Sequence, residues 1–185
     1  MIEEEQLVWI VKDISEKKED SLRQLYDITH RRVFQYLYRL TNNYQMAEDM
    51  MIDTYTEVWK SAKRFRGESK VLTWIIGISR NLAMNEFRKK RFNELELEKN
   101  ESNPPEQFNT CAQAEAIKIL KDAINKLNPT HREVLDLLFL QEMSYEDIAM
   151  ITNIPVNTVK TRVFYAKEKL RNILNSKGIT KDVLI

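Results

Sequence analysis

The stretch SYEDIAMITNIPVNTVKTRVFYA, residues 144–166, decides how this chain is read. Ser144 precedes a short apolar-periodic run and Asp147 stands three places on, which approximates the capping box that opens a helix. That run carries Ile148 and Ala149 on one face, and the small Ala149 permits a second helix to come close. Asn153, Ile154 and Pro155 then interrupt the pattern, since Pro155 cannot continue a helix. A longer helix follows from Val156 to about Leu174. A short helix, a three-residue turn and a longer helix rich in polar residues make the plan of a helix-turn-helix that docks on DNA.

The angular order of the second helix sharpens this. At roughly 100° per residue, Val156, Val159, Val163, Ala166 and Leu170 gather into one arc, the expected buried seam. The opposite face carries Asn157, Thr161, Phe164, Tyr165 and Glu168. Lys160, Lys167 and Arg171 line one flank, and Arg162 and Lys169 the other. Phe164 and Tyr165 therefore project away from the seam. Either they pack on a neighbouring domain, or this face enters a major groove. In the second case Lys160 and Thr161 reach base edges, Phe164 meets thymine methyls, and the flanking cations meet phosphates.

Working outward, the chain reads as all-α throughout. Few Gly and Pro, many Leu, Lys, Glu and Met, and apolar residues at three-to-four spacing all favour helices. Leu22, Leu25, Val33, Phe34, Leu37 and Leu40 mark one helix, and Ala47, Met50, Met51, Thr54, Val58 and Ala62 the next. FRGESK (65–70) is a turn, after which VLTWIIGISRNLAMNEFRKKR (71–91) is apolar at its start and basic at its end. Gly77 inside it costs about 1 kcal/mol against Ala unless something packs closely there. AEAIKILKDAINKL (114–127) and THREVLDLLFLQEM (130–143) read as two further helices, with Pro129 suited to the first turn of the second.

Charge is organised in blocks even though the formal net charge is only +1. Residues 80–91 hold Arg80, Arg88, Lys89, Lys90 and Arg91 against Glu86 alone, and residues 156–171 are basic again. Between them, NELELEKNESNPPE (93–106) reverses the sign, and Pro104-Pro105 stops any helix. The expected architecture is two small helical domains, 1–92 and 111–185, joined by a flexible acidic linker at 93–110. Two cationic regions separated by an acidic one suit two polyanion-binding modules on a tether.

Other chemistries find no support. Cys111 is the only cysteine, and His30 and His131 the only histidines, so neither a disulfide nor a Cys/His zinc site is available. Gly67, Gly77 and Gly178 build no phosphate-cradling loop, and there is no GxSxG elbow. No cofactor, metal or catalytic group is expected. MIEEEQLVWIVKD (1–13) is acidic where a signal peptide would be basic, and its apolar segment is short. No apolar run is long enough to cross a bilayer, and a cytoplasmic location without membrane insertion is the expectation.

Two blocks, AEDMMIDTYTEVWKSAKRFRGESKVLTWIIGISRNLAMNEFRKKR (47–91) and LNPTHREVLDLLFLQEMSYEDIAMITNIPVNTVKTRVFYAKEKLR (127–171), resemble in order and spacing a bacterial sigma factor of the extracytoplasmic-function (ECF) group. The resemblance implies that residues 47–59 grip the clamp helices of the largest RNA polymerase subunit through Asp49, Asp53 and Glu57. A carboxylate row pairs well with arginines in charge-assisted hydrogen bonds. Where relatives usually have Gln, this chain has Ile52. The resemblance further implies that residues 65–91 recognise and open the −10 element, with the loop Arg66, Gly67, Glu68, Ser69 and Lys70 capturing a flipped base. Trp74, Arg80, Asn81, Asn85, Arg88 and Lys89 supply the planar and cationic groups that unstacked single strands need. Trp74 also stands among Leu72, Ile75, Ile76 and Ile78, where a core role is open to it.

In the same way, Asn157, Lys160, Thr161, Phe164, Tyr165, Lys167 and Arg171 become the −35-reading residues of the helix-turn-helix. Relatives frequently carry Arg where this chain has Lys160, Tyr165 and Lys167. Lysine cannot reproduce the guanidinium fork on guanine, so the −35 sequence read here is expected to differ. The acidic linker would thread toward the polymerase active site. The implied partners are core RNA polymerase, promoter DNA and an anti-sigma factor. The alternative is a stand-alone helix-turn-helix regulator with an N-terminal interaction domain, which would need neither the acidic row nor the basic −10-like helix.

Overall fold

Leu7, Ile10, Val11 and Ile14 recur at intervals of three and four residues and form the buried stripe of the first helix, α1 (Glu4–Ser15). The structure, a computed structural model, describes residues 3–93 and 111–177. Among those residues every regular element is helical, as expected. The chain divides into two compact units, one built on α1–α4 and the other on α5–α8.

In the first unit, α2 (Glu19–Thr41) runs past the expected core positions at both ends, and α3 (Tyr44–Ser61) starts before them and stops one residue short of Ala62. Asn42 ends α2 in the left-handed conformation (φ 51°), and Asn43 caps α3 by accepting the Met46 N–H at 2.9 Å. A 3-10 turn at Ala62–Arg64 closes α3, and α4 (Val71–Asn93) follows the 65–70 turn. Leu25, Val33 and Leu37 of α2 are fully buried with Val58 of α3 and Val71, Ile75 and Ile76 of α4. Each such side chain contributes about 1.5–3 kcal/mol. One polar pair crosses this core: the hydroxyls of Thr29 and Tyr55 lie 2.6 Å apart. Burial pushes the Tyr55 phenol well above its ordinary value, so it stays neutral.

Helix α1 is an addition to the sequence reading, which assigned the first residues no element. Its apolar stripe is short enough to pass for a mere absence of a signal peptide, yet its spacing is helical. The expected linker at 93–110 lies outside the described residues except for Asn93, which ends α4. The side chains of Lys90 and Arg91, and the tail from residue 178, also lie outside them.

The second unit opens with α5 (Cys111–Asn125). Asn128 caps α6 (Pro129–Leu135) by accepting the His131 N–H at 2.7 Å, with Pro129 in the first turn as expected. The helix expected to continue to residue 143 instead widens into a π turn at Asp136–Leu140 and stops. Phe139 and Leu140 of this π turn stand at the surface, both 56% exposed. Helix α7 (Tyr145–Thr152) begins with the anticipated capping box: Asp147 N–H donates to Ser144 Oγ at 3.0 Å, and Ser144 N–H donates to Asp147 Oδ2 at 3.2 Å. Asn153 takes φ 54° in the turn, and α8 (Val156–Ser176) follows. Val159, Val163 and Ala166 bury the anticipated seam together with Leu174, while Val156 and Leu170 are half-buried.

Candidate nucleic-acid interface

Asp49, Asp53 and Glu57 follow one another every four residues, so α3 presents them as a single row. Asp49 accepts only a hydrogen bond from Gln45 at 3.1 Å, and none of the three carboxylates meets a cation among the described residues. Ile52 lies beside the row and is 63% exposed.

On α4, Trp74, Asn81, Asn85 and Arg88 fall within one narrow stripe, while Arg80 is turned about 120° from it. Arg80 is half-buried and engaged within the fold. Trp74 is half-buried against Phe65, ring centroids 5.0 Å apart, so it combines a core edge with an open one. Arg88 donates to Asn85 Oδ1 at 2.5 Å, and Lys89 stands 3.6 Å from Glu86. Asn85, Arg88 and Lys89 share a groove with Asp49 and Asp53, its floor formed by Met46, Met50 and Leu82. The acids and cations that the sequence assigned to different partners thus face each other across one cleft.

The turn before α4 is open. Gly67 takes φ 72°, a conformation that L side chains rarely adopt. Arg66 and Glu68 pair at 3.8 Å with both side chains exposed, which contributes little. Ser69 donates to the Lys70 carbonyl at 3.2 Å. The arginine, lysine and serine of this turn are therefore accessible to an incoming base or phosphate.

In the second unit, Phe164 and Tyr165 are 61% and 58% exposed and meet edge to face at 5.4 Å. Within their own unit neither ring is packed into the core. Asn157, Lys160 and Thr161 are exposed beside them. Thr161 donates its hydroxyl to the Asn157 carbonyl at 2.9 Å, so toward a base it offers lone pairs only. Lys167 sits 4.9 Å above the Phe139 ring, and Arg171 is ion-paired with Glu168. The π turn thereby supplies a platform for one flank of α8.

The other flank gathers cations that the sequence reading had not joined to His131. His131 lines a notch with Tyr165, Glu168, Lys169 and Asn172, and its Nδ1 is buried without a hydrogen-bond partner. Burial first, then Lys169 and Arg162, hold its imidazole below the ordinary 6.5. Positive charge on both flanks of an exposed aromatic and polar face is an electrostatic fit to duplex DNA. Among the described residues, no helix is long and apolar enough to cross a membrane.

Comparison with known proteins shows the family. The sigma-70 region 2 family model matches residues 25–93, and that of sigma-70 region 4 matches residues 117–170. RNA polymerase sigma factor YlaC of Bacillus subtilis (strain 168) is 30% identical, covering 84% of this chain and 92% of its own length. ECF RNA polymerase sigma factor SigW of the same organism is 28% identical over 89% of this chain and 94% of itself. Among solved structures, the sigma factor RpoE in complex with the anti-sigma factor NepR from Bartonella quintana superposes with a TM-score of 0.70 at 24% identity, covering 83% of this chain and 96% of that one. CnrH in complex with the cytosolic domain of CnrY gives 0.67 at 18% identity, covering 91% and 97%. Two exposed charged surfaces on two helical units, in the order and spacing of regions 2 and 4, place this chain in the sigma-70 family: it is a member of the ECF group of bacterial RNA polymerase sigma factors, non-enzymatic subunits that direct the polymerase to promoters.

Proposed function

We propose that the labour of promoter recognition is divided as follows. Domain 1–92 grips core RNA polymerase through Asp49, Asp53 and Glu57 on α3. It reads and opens the −10 element through Arg66, Ser69, Lys70, Trp74, Arg80, Asn81, Asn85, Arg88 and Lys89. Domain 111–185 reads the −35 element through Asn157, Lys160, Thr161, Phe164, Tyr165, Lys167 and Arg171, and 93–110 is the tether. The family matches leave residues 94–116 between them, which supports this division.

One observation carries the reading. A single unit presents an unneutralised carboxylate row on α3 beside a cationic, aromatic stripe on α4. A stand-alone regulator has no use for that pair, whereas a factor that must hold a protein and a DNA strand together needs both. The chain acts in the cytoplasm, where its polymerase and promoters are, and an anti-sigma factor is a further partner. The solved complexes of similar fold with anti-sigma factors support that last assignment.

Reconstitution tests it. The purified chain mixed with core RNA polymerase should co-elute with it and start transcripts from a subset of genomic promoter fragments. Transcripts that start equally well without the chain, or a chain that elutes apart from core, would overturn the reading.

A further inference from the structure

Helix α1 lies outside the residues matched to region 2, which begin at residue 25. Its two ends nevertheless reach across the unit. The Glu4 carboxylate accepts the backbone N–H of Val71 at 2.6 Å. Val71 is the first residue of α4, and its N–H has no partner within that helix. Just past the other end of α1, Lys17 donates its ammonium to the Trp59 carbonyl at 2.9 Å and lies 4.5 Å from the centre of the Trp59 ring. Trp59 stands in the last turn of α3.

A negative charge therefore meets the start of α4 and a positive charge meets the end of α3. Each has the sign that the helix dipole favours. Between those two points runs the connector 62–70, which carries Arg66, Ser69 and Lys70. The connector has little to hold it from within. Its own bonds are Phe65 N–H to the Ala62 carbonyl, Ser69 to the Lys70 carbonyl, and an exposed ion pair. Beyond the Phe65 ring against Trp74 and the Trp74 N–H donated to the Lys70 carbonyl at 3.0 Å, its shape is set by its ends.

Helix α1 is firm enough to set them. Ile14 is fully buried, and Leu7, Ile10 and Val11 nearly so. Lys17 holds φ 69°, a left-handed conformation that costs a non-glycine residue about 1 kcal/mol or more. The bonds from Lys17 N–H to the Ile14 carbonyl (2.9 Å) and from Lys18 N–H to the Asp13 carbonyl (3.2 Å) keep it there.

We infer that α1 is a two-point clamp, in which Glu4 and Lys17 hold both ends of the 62–70 connector in the form that receives an unstacked base of the opened promoter strand. This rests on the proposal above that the 66–70 turn contacts the −10 strand. Glu4 and Lys17 touch no DNA; they are positioning residues, and the ligand they serve is a single-stranded nucleotide.

The test uses holoenzyme assembled with Glu4→Ala, Glu4→Gln, Lys17→Met, or Arg66→Ala with Lys70→Ala. Lys17→Met keeps the stem and loses the donor. A promoter found by reconstitution supplies a fork DNA with an unpaired −10 strand and a −35 duplex, and core affinity is measured alongside. Glu4→Ala and Lys17→Met should each weaken fork binding by about three- to tenfold, the effect of a lost charge-assisted cap. Core affinity and −35 duplex binding should stay within about twofold, as for a site that neither surface contains. Glu4→Gln keeps an oxygen to accept the Val71 N–H, so it should recover most of the binding, and the Val71 amide should exchange more slowly in it than in Glu4→Ala.

Wild-type fork binding in Glu4→Ala and Lys17→Met, with a loss in the Arg66/Lys70 variant, refutes the clamp and leaves the turn's role intact. Unchanged fork binding in the Arg66/Lys70 variant refutes the role of the turn, and the clamp falls with it. Equal losses of fork, core and −35 binding in both Glu4 variants would make α1 a folding element only and would also overturn the inference.

Discussion

Phe164 is held 61% exposed on α8, so its truncation removes surface contact and no core packing. Phe164→Ala should leave the far-ultraviolet circular dichroism and melting temperature unchanged. It should weaken −35 duplex binding by about 1 kcal/mol, a factor of about five, if the ring covers a thymine methyl. Tyr165 leans toward the His131 notch instead, so its loss should matter less for base choice. His131 gives a pH signature. Its folded-state proton affinity is depressed, by burial first and then by Lys169 and Arg162, so the unfolded chain takes up the proton first as pH falls. Its contribution to stability is therefore full above about pH 6.5 and declines as pH drops toward the folded value. His131→Asn should flatten the fall in melting temperature between pH 7 and pH 5 relative to wild type. The exposure of Phe164 was legible in the sequence because angle around a helix follows from residue number. The environment of His131 was not, since its neighbours come from another helix.

Gly77 illustrates the scale of the element. The sequence left open that something packs against it, but a Cβ built there meets nothing within 4 Å. Gly77→Ala should stabilise the first unit by about 0.5–1 kcal/mol in urea unfolding, through the helix propensity regained. A loss of stability would mean that the space is needed. The carboxylate row of α3 also acts as an element. Asp49→Lys with Asp53→Lys should weaken core polymerase binding by about tenfold or more and leave −35 duplex binding unchanged, because like charges would face the clamp. A matching loss of −35 binding would point to misfolding. Helix limits were legible to within a few residues, since caps such as Ser144 with Asp147 and Asn128 with Pro129 are local. The π turn at Asp136–Leu140 was not, because apolar periodicity registers which residues are hydrophobic and not whether a backbone ladder widens.

Each of the two units of the whole molecule buries its own apolar side chains, among them Leu25 and Ile75 in the first and Leu137 and Ile148 in the second. Leu25→Ala should cost about 2–5 kcal/mol in the first unit, lowering its melting temperature and its polymerase binding. The −35 duplex affinity of the second unit should persist at temperatures where the first has melted. From the sequence alone came the helical class, the two charged blocks, the helix-turn-helix and the outward face of α8, along with the family resemblance that the comparisons bear out. These rest on spacing, turn chemistry and side-chain type, which act over a few residues. Tertiary structure alone decided that Asp49 and Asp53 share a groove with Arg88, that Phe139 underlies Lys167, and that Glu4 caps a helix 67 residues away. Those meetings depend on how whole helices cross, and crossing is set by the complete packed core, which no short stretch of sequence encodes.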